Sequence, residues 1–82
     1  MILKMKNGKE VLLTRISDGV WHAEDPQAIF QHGIDIGELS TQRGRYNYVG
    51  EFMYMHTELD GDGTLFHAFK HRDTRKYFYF RP

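Results

Sequence analysis

No position of this 82-residue chain is a cysteine. That excludes disulfide staples, thiolate zinc sites and a cysteine nucleophile. Small secreted domains usually depend on such staples, so a cytoplasmic setting is the expectation. Long apolar runs are also missing. Nothing approaches the ~20 apolar residues of a membrane-spanning helix. The opening Met1-Ile2-Leu3-Lys4-Met5-Lys6 lacks the apolar stretch and cleavage site of a signal peptide. Net charge is absent too, with eleven basic and eleven acidic residues balancing to zero. Nucleic-acid binders ordinarily show a basic excess, and this chain has none overall.

Several chemistries lack their sequence signature. No segment matches a P-loop or a dinucleotide-binding glycine pattern, and no βαβ unit frames one. Ser17 and Ser40 stand without the glycines of a nucleophile elbow. Asp60-Gly61-Asp62-Gly63-Thr64 resembles the start of a calcium loop. Counted from Asp60, however, the required Gly and Glu positions hold Leu65 and His71. A hairpin turn is the better reading, and no cofactor is expected.

What the chain does have is aromatic mass: six Phe, five Tyr and one Trp, which can supply much of a core. A chain this short folds as one domain over residues 1–82, burying roughly 60% of the surface its unfolded form exposes. Its charges are segregated. Residues 1–16 carry four basic residues against Glu10, and residues 66–82 carry five against Asp73. Residues 17–65 carry nine acidic residues against Arg43 and Arg45. If both ends lie on one side of the fold, the molecule is a dipole with a basic pole.

Two-residue alternation predicts strands over 2–6, 9–16 and 20–24, turned by Asn7-Gly8 and Ser17-Asp18-Gly19. Asp25 as N-cap and Pro26 in the first turn predict one short helix near residues 26–32, with Gly33 as its stop. Strands follow over 46–59, with a bulge or bend at Gly50, then over 64–72 and 76–81. The fold class is mainly β: about six antiparallel strands in two meanders, as a curved sheet, small barrel or sandwich. The middle segment is expected to cover one face.

Turn symmetry assigns faces. A loop centred on Gly61-Asp62 sets His56 opposite His67, and one centred on Thr74-Arg75 sets Phe69 against Phe80 and His71 against Phe78. Phe52, Tyr54, His56, Leu65, His67, Phe69, His71, Phe78 and Phe80 then share one face. Met53, Met55, Thr57, Phe66, Ala68, Lys70, Arg72, Tyr77, Tyr79 and Arg81 share the other. Phe is more often fully buried than Tyr, Lys or Arg, so the first set is the expected core.

Met53, Met55, Lys70, Arg72, Tyr77, Tyr79 and Arg81 therefore form the candidate binding surface, a composition enriched at protein interfaces. Ordinary strand pairing of Tyr with Arg accounts for the same residues without any partner. The expected function is a non-enzymatic protein-binding module, for instance an inhibitor or accessory subunit of a larger enzyme. In that version the acidic middle competes for a basic groove. The alternative is single-strand nucleic-acid binding, with Tyr77 and Tyr79 stacking on bases and Lys70, Arg72 and Arg81 meeting phosphates. A third reading is a His-based, metal-dependent hydrolase, since His56 and His67 as cross-strand neighbours are close enough to share a metal. Against it, His22, His56, His67 and His71 lack known ligand spacing, and those near the C-terminus alternate with Phe as half-buried strand residues do. Homodimerisation through the same sheet or along an edge strand would also satisfy exposed aromatics.

Overall fold

A computed structural model describes residues 1–40 and 51–82. Gly50, Arg43, Arg45 and the first residues of the strand expected over 46–59 lie outside that set. The described elements are β1 (Ile2–Lys4), β2 (Glu10–Ser17), β3 (Val20–Ala23), α1 (Pro26–Asp35), β4 (Phe52–Leu59), β5 (Leu65–His71) and β6 (Tyr77–Phe80). The two expected meanders join, because β3 pairs with β4 through Val20↔Glu58 and Trp21↔Thr57. All six strands make one antiparallel sheet in sequence order, open at β1 and β6 rather than closed into a barrel.

Turn chemistry sets the register. The Asn7-Gly8 turn is not a two-residue loop. Gly8 N–H donates to Met5 O, Met5 N–H donates to Lys9 O, and Gly8 has φ +89°. This is a three-residue loop ending in a left-handed glycine. Its odd count puts Leu3 opposite Val11, so Leu3, Met5, Val11 and Leu13 share a face. The β4–β5 loop repeats the device. Gly63 N–H donates to Asp60 O, Asp60 N–H donates to Thr64 O, and Gly63 has φ +82°.

That second odd loop alters the expected faces. Thr57, not His56, stands opposite His67, and His56 stands opposite Ala68. A bulge between Tyr54 and His56 then restores the expected pairing of Tyr54 with Phe69 and of Phe52 with His71. Phe52, Tyr54 and Thr57 therefore face the core, while His56 and Glu58 turn to the opposite face. The β5–β6 hairpin is shifted by two from the expected register. Phe69 meets Phe78 and His67 meets Phe80, which leaves every face assignment in it unchanged.

One layer of helix covers the core face. Asp25 caps α1 by accepting from Ala28 N–H, and Pro26 occupies the first turn. Gly33 does not stop the helix, which runs on to Asp35. A left-handed Gly37 ends it, with Glu38 N–H donating to Gly33 O and Gly37 N–H to Ile34 O. Gly33 has another use: a Cβ there would sit 2.6 Å from Phe80 Cζ and 2.7 Å from Leu39 Cδ1. Its missing side chain lets α1 approach β6. Ile29 and Phe30 are fully buried, and the Phe30 ring lies 6.2 Å from both Phe52 and Phe69. Met5, Val11, Leu13, Ala23, Leu39 and Phe80 complete one continuous apolar cluster.

Candidate functional site

Strand parity gives the sheet face opposite α1 a row that crosses three strands, Met53–Lys70–Tyr77, and beside it a second row, His56–Ala68–Tyr79. Tyr77 is 44% exposed, Tyr79 55% and Met53 37%, whereas Phe80 on the core face is 4% exposed. Tyr77 and Tyr79 are two residues apart on one strand, so their rings project side by side. They stack at 5.9 Å between centroids with 14° between planes. Lys70 Nζ lies 5.4 Å from the Tyr77 centroid, a cation–π contact. On the other side Phe66 meets Tyr79 nearly edge-on at 5.5 Å. The result is a continuous ladder, Phe66–Tyr79–Tyr77–Lys70, in which Tyr77 and Tyr79 turn one ring face to each other and both stay exposed.

The seven residues singled out from the sequence do not all converge. Met53, Lys70, Tyr77 and Tyr79 come together. Met55 falls in the β4 bulge and is half-buried. Arg72 lies beyond the end of β5, with its Nε 3.4 Å from Asp73 Oδ1. Arg81 lies at the far end of the hairpin, where Nη1 donates to Asp60 Oδ2 at 3.0 Å and to Leu65 O at 3.3 Å. Two of the three cations assigned to the patch thus flank opposite ends of it, each already facing a carboxylate.

Residues absent from that sequence-derived set join the face. Phe66 extends the ladder. His56 and Glu58, brought outward by the three-residue β4–β5 loop, pair at 2.7 Å. Asp60 accepts from Arg81 and from the Asp62 and Thr64 N–H groups. Hydrogen bonding from Asp62 and then Thr64 holds its carboxyl well below the usual carboxylate range. The turns are also partly sorted by charge. Lys6, Lys9, Arg72, Arg75 and Lys76 lie at the β1–β2 and β5–β6 turns, while Asp18, Asp60 and Asp62 lie at the turns of the opposite end. Arg15 and Arg81 sit at that acidic end, and Glu10, Asp25 and Asp73 sit at the other, with Lys9 3.3 Å from Asp25, so the charges are only partly sorted along the strands.

The histidines fill separate places. His67 is buried and bonded through Nδ1 to Thr57 Oγ1 at 2.7 Å, which in turn meets the Tyr54 hydroxyl at 2.7 Å. The His56–His67 pairing on which the third, metal-dependent reading rested does not form, because the two lie on opposite faces of the sheet. His71 fastens the β5–β6 turn: its Nδ1 accepts from the Asp73 and Thr74 N–H groups, so Nε2–H is the donor to Glu51 Oε1. His22 is exposed on β3 and lies edge-on to Tyr54. Among the described residues no three His, Asp or Glu side chains converge to hold a metal ion. No described helix is long and apolar enough to cross a membrane. Comparison of the chain with protein-family models, with curated proteins and with solved structures finds no match.

Proposed function

We propose that this protein is a non-enzymatic interaction module that binds another protein through the ladder face of β4–β6. The observation that carries the reading is the Phe66–Tyr79–Tyr77–Lys70 ladder with Met53 beside it, on the face turned away from α1. Tyrosines arranged this way offer large, rigid apolar flanks and polar tips at low cost in side-chain entropy, the composition of interface hot spots. The nucleic-acid alternative is less well served. Tyr77 and Tyr79 each use one ring face on the other, which leaves one apiece for a base, so stacking alone does not separate the two readings. Phosphate contacts need uncommitted cations, and Arg72 and Arg81 each face a carboxylate.

The test is affinity capture from native lysate with the wild-type chain and a Tyr77→Ser/Tyr79→Ser variant, each with and without nuclease. A discrete protein held by the wild type after nuclease treatment, and released by the variant, is the expected result. Capture that disappears on nuclease treatment would hand the face to the nucleic-acid reading. Capture that survives in the variant would move the contact elsewhere.

A further inference from the structure

At the acidic end of the sheet, between the C-terminal end of α1 and the ladder residues, lies a cleft of about 700 Å³ whose lining includes Phe80 of the core face. Ile36 and Glu38, just beyond the C-terminus of α1, form one side of it. His56, Glu58, Phe66 and Tyr79 form the sheet side, and the Asp60–Arg81 pair closes its end. The volume falls within the roughly 300–1,000 Å³ of small-ligand and side-chain pockets. We infer that this cleft receives an arginine side chain from a basic segment of the partner protein. The inference rests on the protein-binding reading of the face and specifies the chemistry of the partner there.

Charge and shape favour that occupant over others. Of the carboxylates along the cleft, Asp60 faces Arg81 and Glu58 faces His56. The Glu38 side chain has no hydrogen-bond or ion-pair partner among the described residues. Among the described lining residues three carboxylates stand against one arginine, a negative excess to which Asp62 in the adjoining turn adds. A site of that sign rejects phosphate and attracts a cation. A compact metal ion does not fit, because the oxygen ligands are spread around the rim rather than converging. A planar guanidinium does fit. It stacks on aromatic rings, which Phe66 and Tyr79 supply, and donates in several directions to separate carboxylates. Lysine offers the charge without the plane.

The test is an NMR titration of the full chain with the blocked tripeptide acetyl-Gly-Arg-Gly-amide, and with its citrulline analogue as a neutral isostere. Saturable shifts at His56, Phe66 and Tyr79 with the arginine peptide, and at least about tenfold weaker binding of the citrulline peptide, are expected. Glu38→Gln, which changes an exposed loop residue, should weaken the arginine peptide several-fold. Glu38→Gln/Glu58→Gln should weaken it further, and Lys6→Gln, an exposed position in the turn at the opposite end of the sheet, should leave it unchanged. Equal response to both peptides, shifts confined to other residues, or indifference to both Glu variants would overturn the inference. So would a sedimentation mass that rises with protein concentration and is restored by Glu38→Gln/Glu58→Gln, because the cleft would then hold the Arg75–Lys76 turn of a second copy. A failed titration beside successful capture removes the arginine pocket and keeps the face. A successful titration beside failed capture does the reverse.

Discussion

His67 makes the stability of this fold depend on pH in a window that can be worked out beforehand. Its ring is fully buried between Thr57 and Phe80, and burial, with the charge of His32 as a second cause, lowers its pKa from 6.5 to about 4. The hydrogen-bond chain acts in the same sense. Ala23 N–H donates to the Tyr54 hydroxyl; with neutral His67 protonated at Nε2, that hydroxyl donates to Thr57 and Thr57 donates to Nδ1, and the buried Nε2–H is left without a partner among the described residues. Protonating Nδ1 would reverse the last two donors and strand the Tyr54 proton. The unfolded chain, by contrast, takes up its proton near 6.5. Stability is therefore full above 6.5, falls as pH drops from 6.5 towards 4, and levels off below. The whole window is worth about 3 kcal/mol, of which about 2 kcal/mol is lost by pH 5. Urea unfolding followed by Trp21 fluorescence at pH 7.5 and pH 5, on the wild type and His67→Leu, reads this directly. The wild type should lose about 2 kcal/mol more than the variant between the two pH values. Titrations shared by the two chains cancel, and Asp60, held below the usual carboxylate range, lies outside the window. Equal losses in both proteins would refute the assignment of the pH dependence to His67.

Two further substitutions test how the helix and the last turn are fitted. Gly33→Ala gains up to about 1 kcal/mol of helix propensity but drives a Cβ into Phe80 and Leu39, which costs about 1–3 kcal/mol. The expected outcome in urea unfolding is a net loss of about 1–2 kcal/mol, and a gain would show that α1 has room to withdraw from β6. Arg75 has φ 64°, a left-handed conformation that costs a non-glycine residue about 1 kcal/mol or more. Arg75→Gly should raise the unfolding free energy by about 0.5–1 kcal/mol after its greater unfolded-state entropy is deducted, read as a higher urea midpoint. A lower midpoint would mean that the arginine side chain itself holds the turn.

Legibility varied along the chain for identifiable reasons. The Phe–Tyr alternation of β6 survives any error of two in register, so Tyr77 and Tyr79 outward and Phe78 and Phe80 inward could be read from composition alone. Asp25-Pro26 marked the helix start because cap chemistry is local. Gly33 misled. A glycine after an apolar run looks like a terminator, and only the position of Phe80, 47 residues away in sequence, reveals that it is a contact point. The faces of Thr57 and His56 were also out of reach. Met53, Tyr54, Met55 and His56 carry no residue type that marks a bulge, and an odd turn followed by a bulge leaves the pairing of Phe52 and Tyr54 as though neither were there.

Energetics explains why the chain takes both irregularities rather than neither. Without them, His56 and Glu58 would point under α1 and Thr57 would point away. A carboxylate beneath the helix is expensive unless it is paired, and the apolar cluster there offers Glu58 no cation. The three-residue loop places Thr57 inward instead, where its hydroxyl joins the Tyr54 hydroxyl to His67 Nδ1, while the buried His67 Nε2 has no hydrogen-bond partner among the described residues. The bulge then returns Tyr54 to the core and interrupts the β3–β4 ladder. That leaves Ala23 N–H to donate to the Tyr54 hydroxyl at 3.0 Å. The loop that turns Thr57 inward also carries His56 and Glu58 to the face with Phe66 and Tyr79. Core satisfaction at Thr57 and the chemistry of the outer face are therefore fixed by the length of one loop, and the bulge at Met55 keeps Phe52 and Tyr54 in the core. A change of loop length by one residue would disturb both together.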